Sequence, residues 1–405
     1  GVFPKISALW IIYSRIQYFS PGSRMIIQAI RLYPCRIPLD RPVITSFGKM
    51  TARSSLLIAV EDPQGHTGWG ESWCNFPSGG MAYKQRLYQD TLAPHLRFDK
   101  DAEPHEITTA LHQSLRVIAC QTGDRGSVAQ ILAGLDIALW DLRAKQLDLP
   151  LAAVLNPHHT SQLPIYASGI DRREIAVRLD AARSLGIERF KLKVGFDPAT
   201  DLDAITSCLT QLAPEERLAV DANQGWSLAT AMSLLPDLPS ELSWIEEPIL
   251  ADEPFDHWLR LQELTSIRLS GGENFLHQDD YDRYFQSIEK PFPILQPDVC
   301  KWGGITGVSR LFPNIDPTKT QYYPHFLGSA IGLAASAHLL AAEGGGGLLE
   351  YDIQPNALRD ALGTEPLPIK QGHYQISDRP GLGIEPRPEV LNTWCQAVIP
   401  LDLAD

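Results

Sequence analysis

The chain has 405 residues, and its 35 Lys and Arg residues are outnumbered by 48 Asp and Glu residues, so its formal net charge is −13. This negative charge repels phosphate backbones and anionic lipid headgroups, and neither a nucleic acid nor a membrane is expected as a partner. The length and the hydrophobic content of 44% exclude a disordered or fibrous chain and fit two domains or one large barrel with an appendage.

Residues 1–24 are predicted to be an extension outside the fold. Their apolar stretch, residues 6–19, follows Lys5 but is interrupted by Arg15 and lacks the small-residue cleavage pattern of a signal peptide. No run of apolar residues is long enough to predict a membrane span. The 6 cysteines are scattered without a CxxC pair, which predicts neither a zinc ribbon nor a disulfide framework and favours the reducing cytoplasm.

Residues 25–155 are predicted to form a compact α+β domain. Strand-like runs flank a turn signal at Asp62-Pro63-Gln64-Gly65, and the pattern becomes helical from Tyr83 onward. In the last long helical segment, apolar residues from Ile131 to Leu142 recur on one face until Pro150 stops the pattern. An antiparallel sheet followed by helices is typical of a small α+β domain.

Residues 156–367 alternate short apolar runs with connections of helix length, which is the composition of a (β/α)₈ barrel of the α/β class. The tail, residues 368–405, is rich in Pro and turn residues and too short to be a domain, so it is expected to pack back on the first domain. The predicted strands are LPIYAS, RFKLKV, RLAVDA, SWIEEP, IRLSGGE, PILQPDV, QYYPHF and GLLEYD.

Six ionisable residues recur at equivalent places in successive units of this pattern, separated by 25, 27, 25, 27 and 25 residues. A single acid after a strand is usually a helix cap or a solvated loop residue. Independent capping gives no reason for an equal phase over consecutive units, whereas barrel enzymes place their sites at the carboxyl ends of the strands. The six residues expected at one mouth are Asp221, Glu246, Glu273, Asp298, His325 and Glu350.

The first three of these residues, Asp221, Glu246 and Glu273, are carboxylates that would repel one another in a partly desolvated mouth. A cation relieves this repulsion, and an all-oxygen ligand set without adjacent Cys or His suits one Mg²⁺ with positions left for water and substrate. The alternative is a set of protonated or Arg-paired acids.

Two further groups carry proton-transfer chemistry. Lys191 and Lys193 are two residues apart on a predicted strand, so their side chains share one face of that strand. A buried lysine there would have a depressed pKa and could act as a base. The alternative is that both lysines reach water at the end of the strand. Asp298 and His325 end consecutive runs, so the carboxylate can orient the imidazole as a second acid/base, unless His325 is a satisfied core histidine. Together with a metal that binds a substrate carboxylate, these groups predict removal of an α-proton through an enediolate.

The ordered set of motifs resembles the mandelate racemase group of the enolase superfamily. It spans the chain from about residue 26 onward and includes GLDIALWD at residues 134–141. The other matching motifs are Lys191-Leu-Lys193, DANQGW from Asp221, WIEEP from Trp244, GEN from Gly272, PDVCKWGGITG from Pro297, Pro324-His325 and Leu349-Glu350.

The resemblance implies a role for each matching residue. Asp221, Glu246 and Glu273 would hold Mg²⁺, and Lys193 would be the base on one face of the substrate. Lys191 would bind the substrate carboxylate and lower the pKa of Lys193. His325, oriented by Asp298, would be the acid/base on the second face of the substrate. Glu350 would hydrogen-bond the substrate carboxylate, and Asn223 would contact the α-hydroxyl. Muconate-cycloisomerase-like groups carry a lysine where Asp298 stands, which argues against them.

In this family the first domain caps the barrel mouth, and two loops of the cap, residues 40–53 and 69–80, are candidates for substrate contact. Lys49 and Arg53 can meet a second anionic group or sugar hydroxyls, while Trp73 can wall an apolar substrate together with Phe47, Trp69 and Phe76. Ordinary loop and core roles are equally compatible with these residue types.

The leading prediction is a Mg²⁺-dependent lyase that dehydrates an acid sugar to a 2-keto-3-deoxy acid, with Lys193 removing the α-proton and His325 protonating the departing hydroxyl. The alternatives are a racemase or epimerase of a 2-hydroxy acid, which uses the same residues, and a catalytically silent metal-binding barrel. A small-molecule carboxylate is the expected partner, and the protein is expected to form a homo-oligomer.

Overall fold

The computed structural model describes residues 25–96, 102–344, 346–396 and 398–401. The predicted extension at residues 1–24 lies outside these ranges. The first described unit is an antiparallel sheet in the order β14-β1-β2-β3, in which Ile30 pairs with Val60 on one side and with Leu401 on the other. Its strands are β1 (Ala29–Ile44), β2 (Lys49–Glu61), β3 (Thr67–Ser72) and β14 (Ile399–Leu401).

The turn signal at residues 62–65 connects β2 to β3, where the Asp62 carboxylate accepts hydrogen bonds from the backbone N–H groups of Gln64 and His66. Four helices follow: α1 (Gly80–Leu87), α2 (Pro104–Gln121), α3 (Arg125–Gln146) and α4 (Leu151–Leu155). Every residue of α3 from Val128 to Ala144 is buried, although a single apolar face was predicted. The helix lies against β3 on one side and the second unit on another, and Gly70 and Gly134 allow the close approach because a Cβ on Gly70 would strike the Gly134 carbonyl oxygen.

All eight predicted barrel strands are present and run parallel in the continuous order β11-β4-β5-β6-β7-β8-β9-β10. A hydrogen-bonded pair between β10 and β11 that would close the barrel is not found among the described residues, although a Cβ on Gly347, just before β11, would strike the Tyr322 carbonyl oxygen of β10. The strands are β4 (Gln162–Ile170), β5 (Arg189–Lys193), β6 (Arg217–Asp221), β7 (Trp244–Glu246), β8 (Arg268–Gly271), β9 (Ile294–Leu295), β10 (Gln321–Tyr322) and β11 (Leu349–Asp352).

A helix follows each of these strands and packs on the outside, so that the apolar residues between strand and helix form the main core. A separate cluster that includes Tyr166, Trp244 and Tyr323 joins side chains from different strands. The helices are α5 (Ile175–Ser184), α6 (Pro198–Leu209), α7 (Leu228–Leu234), α8 (Phe255–Glu263), α9 (Gln278–Gln286), α10 (Gly304–Ser309), α11 (Ala330–Glu343) and α12 (Ala357–Asp360).

The tail contacts both units rather than the first one alone. Its hairpin, β12 (Ile369–Lys370) and β13 (His373–Gln375), pairs with β4 of the parallel sheet, whereas α13 (Pro388–Trp394) leads to β14 beside β1. A disulfide joins Cys35 of β1 to Cys395, a single bridge that the sequence analysis did not predict. The two residues are 360 positions apart, so no short-range spacing in the sequence indicates the pair.

Buried carboxylates of the cap hold it against the barrel. Glu71 at the end of β3 accepts hydrogen bonds from the backbone N–H groups of Ser329 and Gly332 at the start of α11. Asp136 of α3 accepts from the Thr306 backbone N–H at 2.8 Å, and burial raises the pKa of this carboxyl to about 6. The cap is thereby fixed over the carboxyl ends of the strands. In the part of the chain that is described, no helix is both long and apolar enough to cross a bilayer.

Candidate active site

The three predicted metal-binding carboxylates lie side by side at the ends of adjacent strands. Asp221 is the last residue of β6, Glu246 is the last residue of β7, and Glu273 follows β8. Their exposed fractions are 1%, 1% and 7%, so all three are buried below the cap. The parallel order β6-β7-β8 brings them to one edge because equivalent strand ends meet there.

The two lysines of β5 face these carboxylates. The Lys191 ammonium lies 2.6 Å from Glu246 Oε1 and 2.9 Å from Glu350 Oε1, and it is completely buried. Lys193 lies 2.5 Å from Asp221 Oδ2 and donates to Asn223 Oδ1 at 2.8 Å. The predicted common direction of the two side chains is therefore observed, and Phe190 and Leu192 point instead into the apolar core.

The pKa values of the lysines move in the direction opposite to the predicted one. Burial lowers the pKa of Lys191, but the carboxylates of Glu246 and Glu350 outweigh burial and raise it well above its usual value. Burial likewise lowers the pKa of Lys193, and Asp221 raises it above the usual value despite repulsion from Lys191. The sequence analysis considered Mg²⁺, protonation or pairing with arginine for these carboxylates, and it did not predict that they pair directly with the lysines.

On the other side of the mouth, His325 lies between two carboxylates. Its Nδ1 is 2.7 Å from Asp298 Oδ2, and its Nε2 is 2.8 Å from Glu273 Oε2. Burial lowers the pKa of His325, but Glu273 and Glu350 raise it well above 6.5, with help from the contact to Asp298. The imidazole is therefore held as a cation that can donate a proton.

Negative charge is crowded around Glu246. Burial raises its pKa to about 7, and although Lys191 opposes this shift, Asp221, Glu350 and Glu273 add to it. Glu350, which lies within β11, also accepts from the Phe326 backbone N–H at 3.0 Å, and Lys191 lowers its pKa to about 2 against the effect of burial. Within the described ranges, no group of three or more His, Cys, Asp or Glu side chains is arranged to hold a metal ion. Each carboxylate of the predicted metal set instead contacts a cation of the protein.

Four residues that the sequence analysis did not place in the site also reach these groups. Gln296 donates to Glu246 Oε2 at 2.6 Å, and Asn274 donates to Glu247 Oε2 at 2.8 Å. Lys301 is 4% exposed and lies 2.9 Å from Asn274 Oδ1 and 3.4 Å from Glu273 Oε1. Gln296 stands two residues before Asp298, and Glu247 directly follows Glu246. Their proximity in sequence to predicted site residues was therefore the feature from which they could have been predicted as site residues.

Glu247 is the unusual member of this group. It is 1% exposed, has a φ of 38°, and its Oε1 has no hydrogen-bond partner among the described residues. Burial raises its pKa well above 4.5, and the neighbouring Glu273 raises it further although Lys301 opposes the shift. Burial and the neighbouring carboxylates therefore disfavour the ionised form of Glu247.

The predicted cap residues have different surroundings. The Arg53 guanidinium is 2.6 Å from Asp352 Oδ2 and donates to the Pro355 carbonyl. Its positive charge is therefore paired with a carboxylate of the protein. Lys49 is exposed in β2. Trp73 lies close to the site, since the ammonium group of Lys301 is 4.8 Å from the centroid of its ring. The ammonium group of Lys84 is 5.4 Å from the same ring centroid.

Of the three residues named with Trp73 as an apolar wall, Trp69 is only 6% exposed and donates to Glu385 at 3.2 Å, as a core residue does. Phe47 is 59% exposed and stacks edge to face on Phe76 with 4.9 Å between ring centroids. The loop before β2 approaches the mouth through Ser46, whose hydroxyl donates to the carbonyls of Ala222 and Asn223.

Comparison with known proteins agrees with this arrangement. The mandelate racemase / muconate lactonizing enzyme N-terminal domain model matches residues 27–155, and the enolase C-terminal domain-like model matches residues 174–390. The chain belongs to the mandelate racemase group of the enolase superfamily. The resemblance inferred from the motifs is thereby confirmed, and homologues of this family imply an N-terminal cap and a C-terminal (β/α)₈ barrel.

Relatives within the family carry out several reactions. The chain is 28% identical over 380 residues to D-galactarolactone cycloisomerase of Agrobacterium fabrum, covering 89% of this chain and 96% of the relative. It is 27% identical to L-talarate/galactarate dehydratase of Salmonella typhimurium, with 88% of each chain covered. Among solved structures, a mandelate racemase/muconate lactonizing enzyme from Bordetella bronchiseptica is 35% identical with a TM-score of 0.83, covering 92% of this chain and 99% of that one. A racemase from Streptomyces coelicolor with bound magnesium is 25% identical with a TM-score of 0.80, covering 91% of this chain and 100% of that one.

Proposed function

We propose that the protein is a Mg²⁺-dependent enzyme that removes the α-proton of a 2-hydroxycarboxylate, and that its reaction is dehydration of an acid sugar to a 2-keto-3-deoxy acid. One observation carries this proposal: Lys193 and His325 reach the same row of buried carboxylates from opposite ends, through Asp221 and Glu273. Their strands β5 and β10 are separated by four strands in the sheet, so the two groups can act on opposite faces of one substrate.

The carboxylates fit a hard divalent cation by their chemistry. Asp221, Glu246 and Glu273 offer only oxygen donors, and the pKa of about 7 at Glu246 reports burial and an excess of negative charge that a cation would relieve. These three residues would hold one Mg²⁺, and Lys191, Lys193 and His325 would then give up their present contacts with them. When bound, the ion supplies Lewis-acid polarisation of a substrate carboxylate and neutralises charge that builds on it.

The remaining residues would bind and move protons. Lys193 would take the α-proton, and Asn223, which already bonds to it, would contact the α-hydroxyl. His325, oriented by Asp298, would donate a proton to the departing β-hydroxyl. Lys191 and Glu350, which lie 2.9 Å apart, would bind the substrate carboxylate and stabilise the negative charge of the enediolate.

An acid sugar suits the polar lining of the mouth. Asn223, Asn274, Gln296 and Lys301 offer hydrogen-bond donors and acceptors beside the carboxylates, and hydroxyl-rich substrates use such groups for orientation. Two relatives, a D-galactarolactone cycloisomerase and an L-talarate/galactarate dehydratase, are named for compounds of the same class. A racemase or epimerase reaction remains the second candidate, because Lys193 and His325 are placed for exchange of a proton across two faces.

The test is proton NMR in D₂O with Mg²⁺ and a library of acid sugars and simple 2-hydroxy acids. A 2-keto-3-deoxy product supports dehydration, whereas α-proton exchange or inversion without loss of water supports the racemase or epimerase. Two variants separate the roles of the proton-transfer groups. His325→Asn should abolish dehydration while the Lys193 face still exchanges the α-proton, and Lys193→Ala should remove both. Dehydration by His325→Asn at the parent rate would contradict the proposed acid, and silence of the parent protein over the whole library would contradict the proposed substrate class.

A further inference from the structure

Lys84 of the cap is a buried cation without a carboxylate partner. It lies in α1 and is 2% exposed. A buried ammonium is usually paired with an anion, because it has lost its hydration. Within the described ranges, the Lys84 ammonium has neither a hydrogen bond nor an ion pair, and the paired lysines there are Lys145, Lys191, Lys193 and Lys301. The described part of the protein therefore does not supply a counter-charge for Lys84.

The Lys84 ammonium lies over the ring of Trp73 instead. Its Nζ is 5.4 Å from the centroid of that ring, and Nζ of Lys301 is 4.8 Å from the same centroid. The two ammonium groups are therefore no more than about 10 Å apart. An aromatic ring attracts a cation but carries no net negative charge, so the contact with Trp73 leaves the charge of Lys84 uncompensated.

The loop that carries Trp73 is attached to the rim of the catalytic mouth. The Trp73 backbone N–H donates to the Cys300 carbonyl at 3.2 Å, and the Asn75 side chain donates to the Leu327 carbonyl. These two carbonyls belong to the loops after β9 and β10, which also carry the proposed acid/base pair. Trp73 is therefore held where the cap meets the mouth.

A short series of contacts leads from the proposed metal site to Lys84. Lys301 lies 3.4 Å from Oε1 of Glu273, and the ring of Trp73 connects Lys301 to Lys84. The exposed fraction of Lys84, 2%, lies between the values for Asp221 and Glu273, which are 1% and 7%. Its burial is thus that of the other residues under the cap.

The electrostatic surroundings of Lys84 favour an external anion. Burial lowers the pKa of its ammonium, and although Cys74 and Asp124 oppose this shift, Lys301 adds to it. An anion bound beside Lys84 would stabilise the ammonium form against burial and against repulsion from Lys301.

The other cap cations that were named for a second anionic group differ from Lys84 in their surroundings. The Arg53 guanidinium is paired with Asp352, and Lys49 is exposed to solvent. A buried cation without a partner gains more from an anion than a paired or a hydrated one does, because the anion replaces hydration that is already lost.

We propose that Lys84 binds a second anionic group at the far end of the substrate, and that the substrate is therefore an acid sugar charged at both ends. This inference rests on the proposed function, because it takes a substrate carboxylate at the metal site as the first point of attachment. The second group is a carboxylate in an aldaric acid, or a phosphate ester in an aldonic acid that is phosphorylated on its terminal hydroxyl. A neutral end would leave the Lys84 ammonium without an anion.

The test is isothermal titration calorimetry with Mg²⁺ on the full chain. The ligands are hexaric acids, hexonic acids and terminally phosphorylated hexonic acids, each in the gluco, galacto and manno configurations. Lys193→Ala serves as the background, so that heat of binding is not mixed with heat of turnover. We expect the tightest doubly charged ligand to bind at least about tenfold more tightly than the hexonic acid of its configuration. The tighter of the two doubly charged classes identifies the second group.

Replacement of Lys84 tests whether this residue is the origin of the preference. Lys84→Met removes the charge but keeps an apolar side chain against Trp73, and it should reduce the preference to less than about twofold. Lys84→Arg keeps the charge and should retain most of the preference. Lys319→Met, at an exposed position, is the matched control and should bind as the background protein does.

Two results would overturn the inference alone. They are equal binding of hexonic and doubly charged acids, which needs no variant of Lys84 to be observed, and a preference that survives Lys84→Met. Failure of the proposed function gives a different pattern: a Lys84-dependent preference without α-proton exchange by the parent protein would contradict that function and support the binding role of Lys84. Absence of Mg²⁺-dependent binding for all three classes of ligand would contradict both.

Discussion

The Nδ1 atom of His325 lies 2.7 Å from Oδ2 of Asp298, and the other oxygen of that carboxylate accepts the backbone N–H of Cys300 at 2.8 Å. The loop after β9 therefore fixes the carboxylate, and the carboxylate fixes the imidazole ring that follows β10. Such a contact fixes the orientation of the ring and leaves Nε2 directed at Glu273 and the mouth.

Replacement of Asp298 by Asn should lower kcat roughly 100-fold with little change in KM, because the amide no longer stabilises the imidazolium or selects its orientation. Steady-state kinetics on the substrate found by NMR, together with the pH profile of kcat, measure the effect. Asp316→Asn changes an exposed turn carboxylate and should leave both parameters unchanged. An Asp298→Asn variant with the parent pH profile would contradict the orienting role.

Lys301→Met should lower kcat/KM at least about tenfold, because the ammonium that bridges Asn274 and Glu273 under Trp73 would be lost from the mouth. The same kinetic assay with the exposed Lys319→Met as control measures this effect. Equal kinetics of the parent and Lys301→Met would mean that the ammonium serves only the packing between loops.

Glu71→Gln should lower the free energy of unfolding by about 3 kcal/mol, because the carboxylate accepts hydrogen bonds from Ser55, Ser329 and Gly332 while buried, and an amide nitrogen would face those donors instead. Chemical denaturation followed by circular dichroism measures the loss. Glu365→Gln, in an exposed ion pair with Arg379, is the control and should change stability by less than about 1 kcal/mol. Equal stability of Glu71→Gln and the parent would remove Glu71 from the contacts that hold the cap on the barrel.

His338 should make the fold acid-sensitive between about pH 6.5 and pH 4. Its Nδ1 accepts the Ala152 backbone N–H at 2.9 Å, and burial lowers its pKa from 6.5 to about 4. Below pH 6.5 the unfolded chain therefore binds a proton that the folded chain does not, so stability is complete above pH 6.5 and up to about 3 kcal/mol is lost as the pH falls to 4.

Melting temperatures of the parent and His338→Gln over this pH range measure that contribution. The glutamine oxygen can still accept from Ala152 but does not titrate, so the variant should lose less stability in acid than the parent. His95→Gln, an exposed position, should keep the parent slope. Parallel pH curves for the parent and His338→Gln would contradict the assignment.

The sequence by itself predicted the order of elements and which ionisable side chains meet at one mouth. Eight apolar runs separated by helix-length connections specify a parallel sheet because each strand must be buried on both faces, and all eight are observed. The spacing of 25 or 27 residues from Asp221 to Glu350 predicted which side chains meet, since consecutive βα units bring equivalent positions to one edge. These conclusions rest on periodicity, which is a property of the chain alone.

Only the tertiary structure decided the partner of each charge. It placed Arg53 on Asp352, Lys191 on Glu246 and Lys301 beside Glu273, and it raised the pKa of Lys193 through Asp221 where burial alone would lower it. It also joined Cys35 to Cys395 across the sheet. Charges and thiols act over a few ångströms, and those distances depend on how loops and units pack, which no local spacing in the chain encodes.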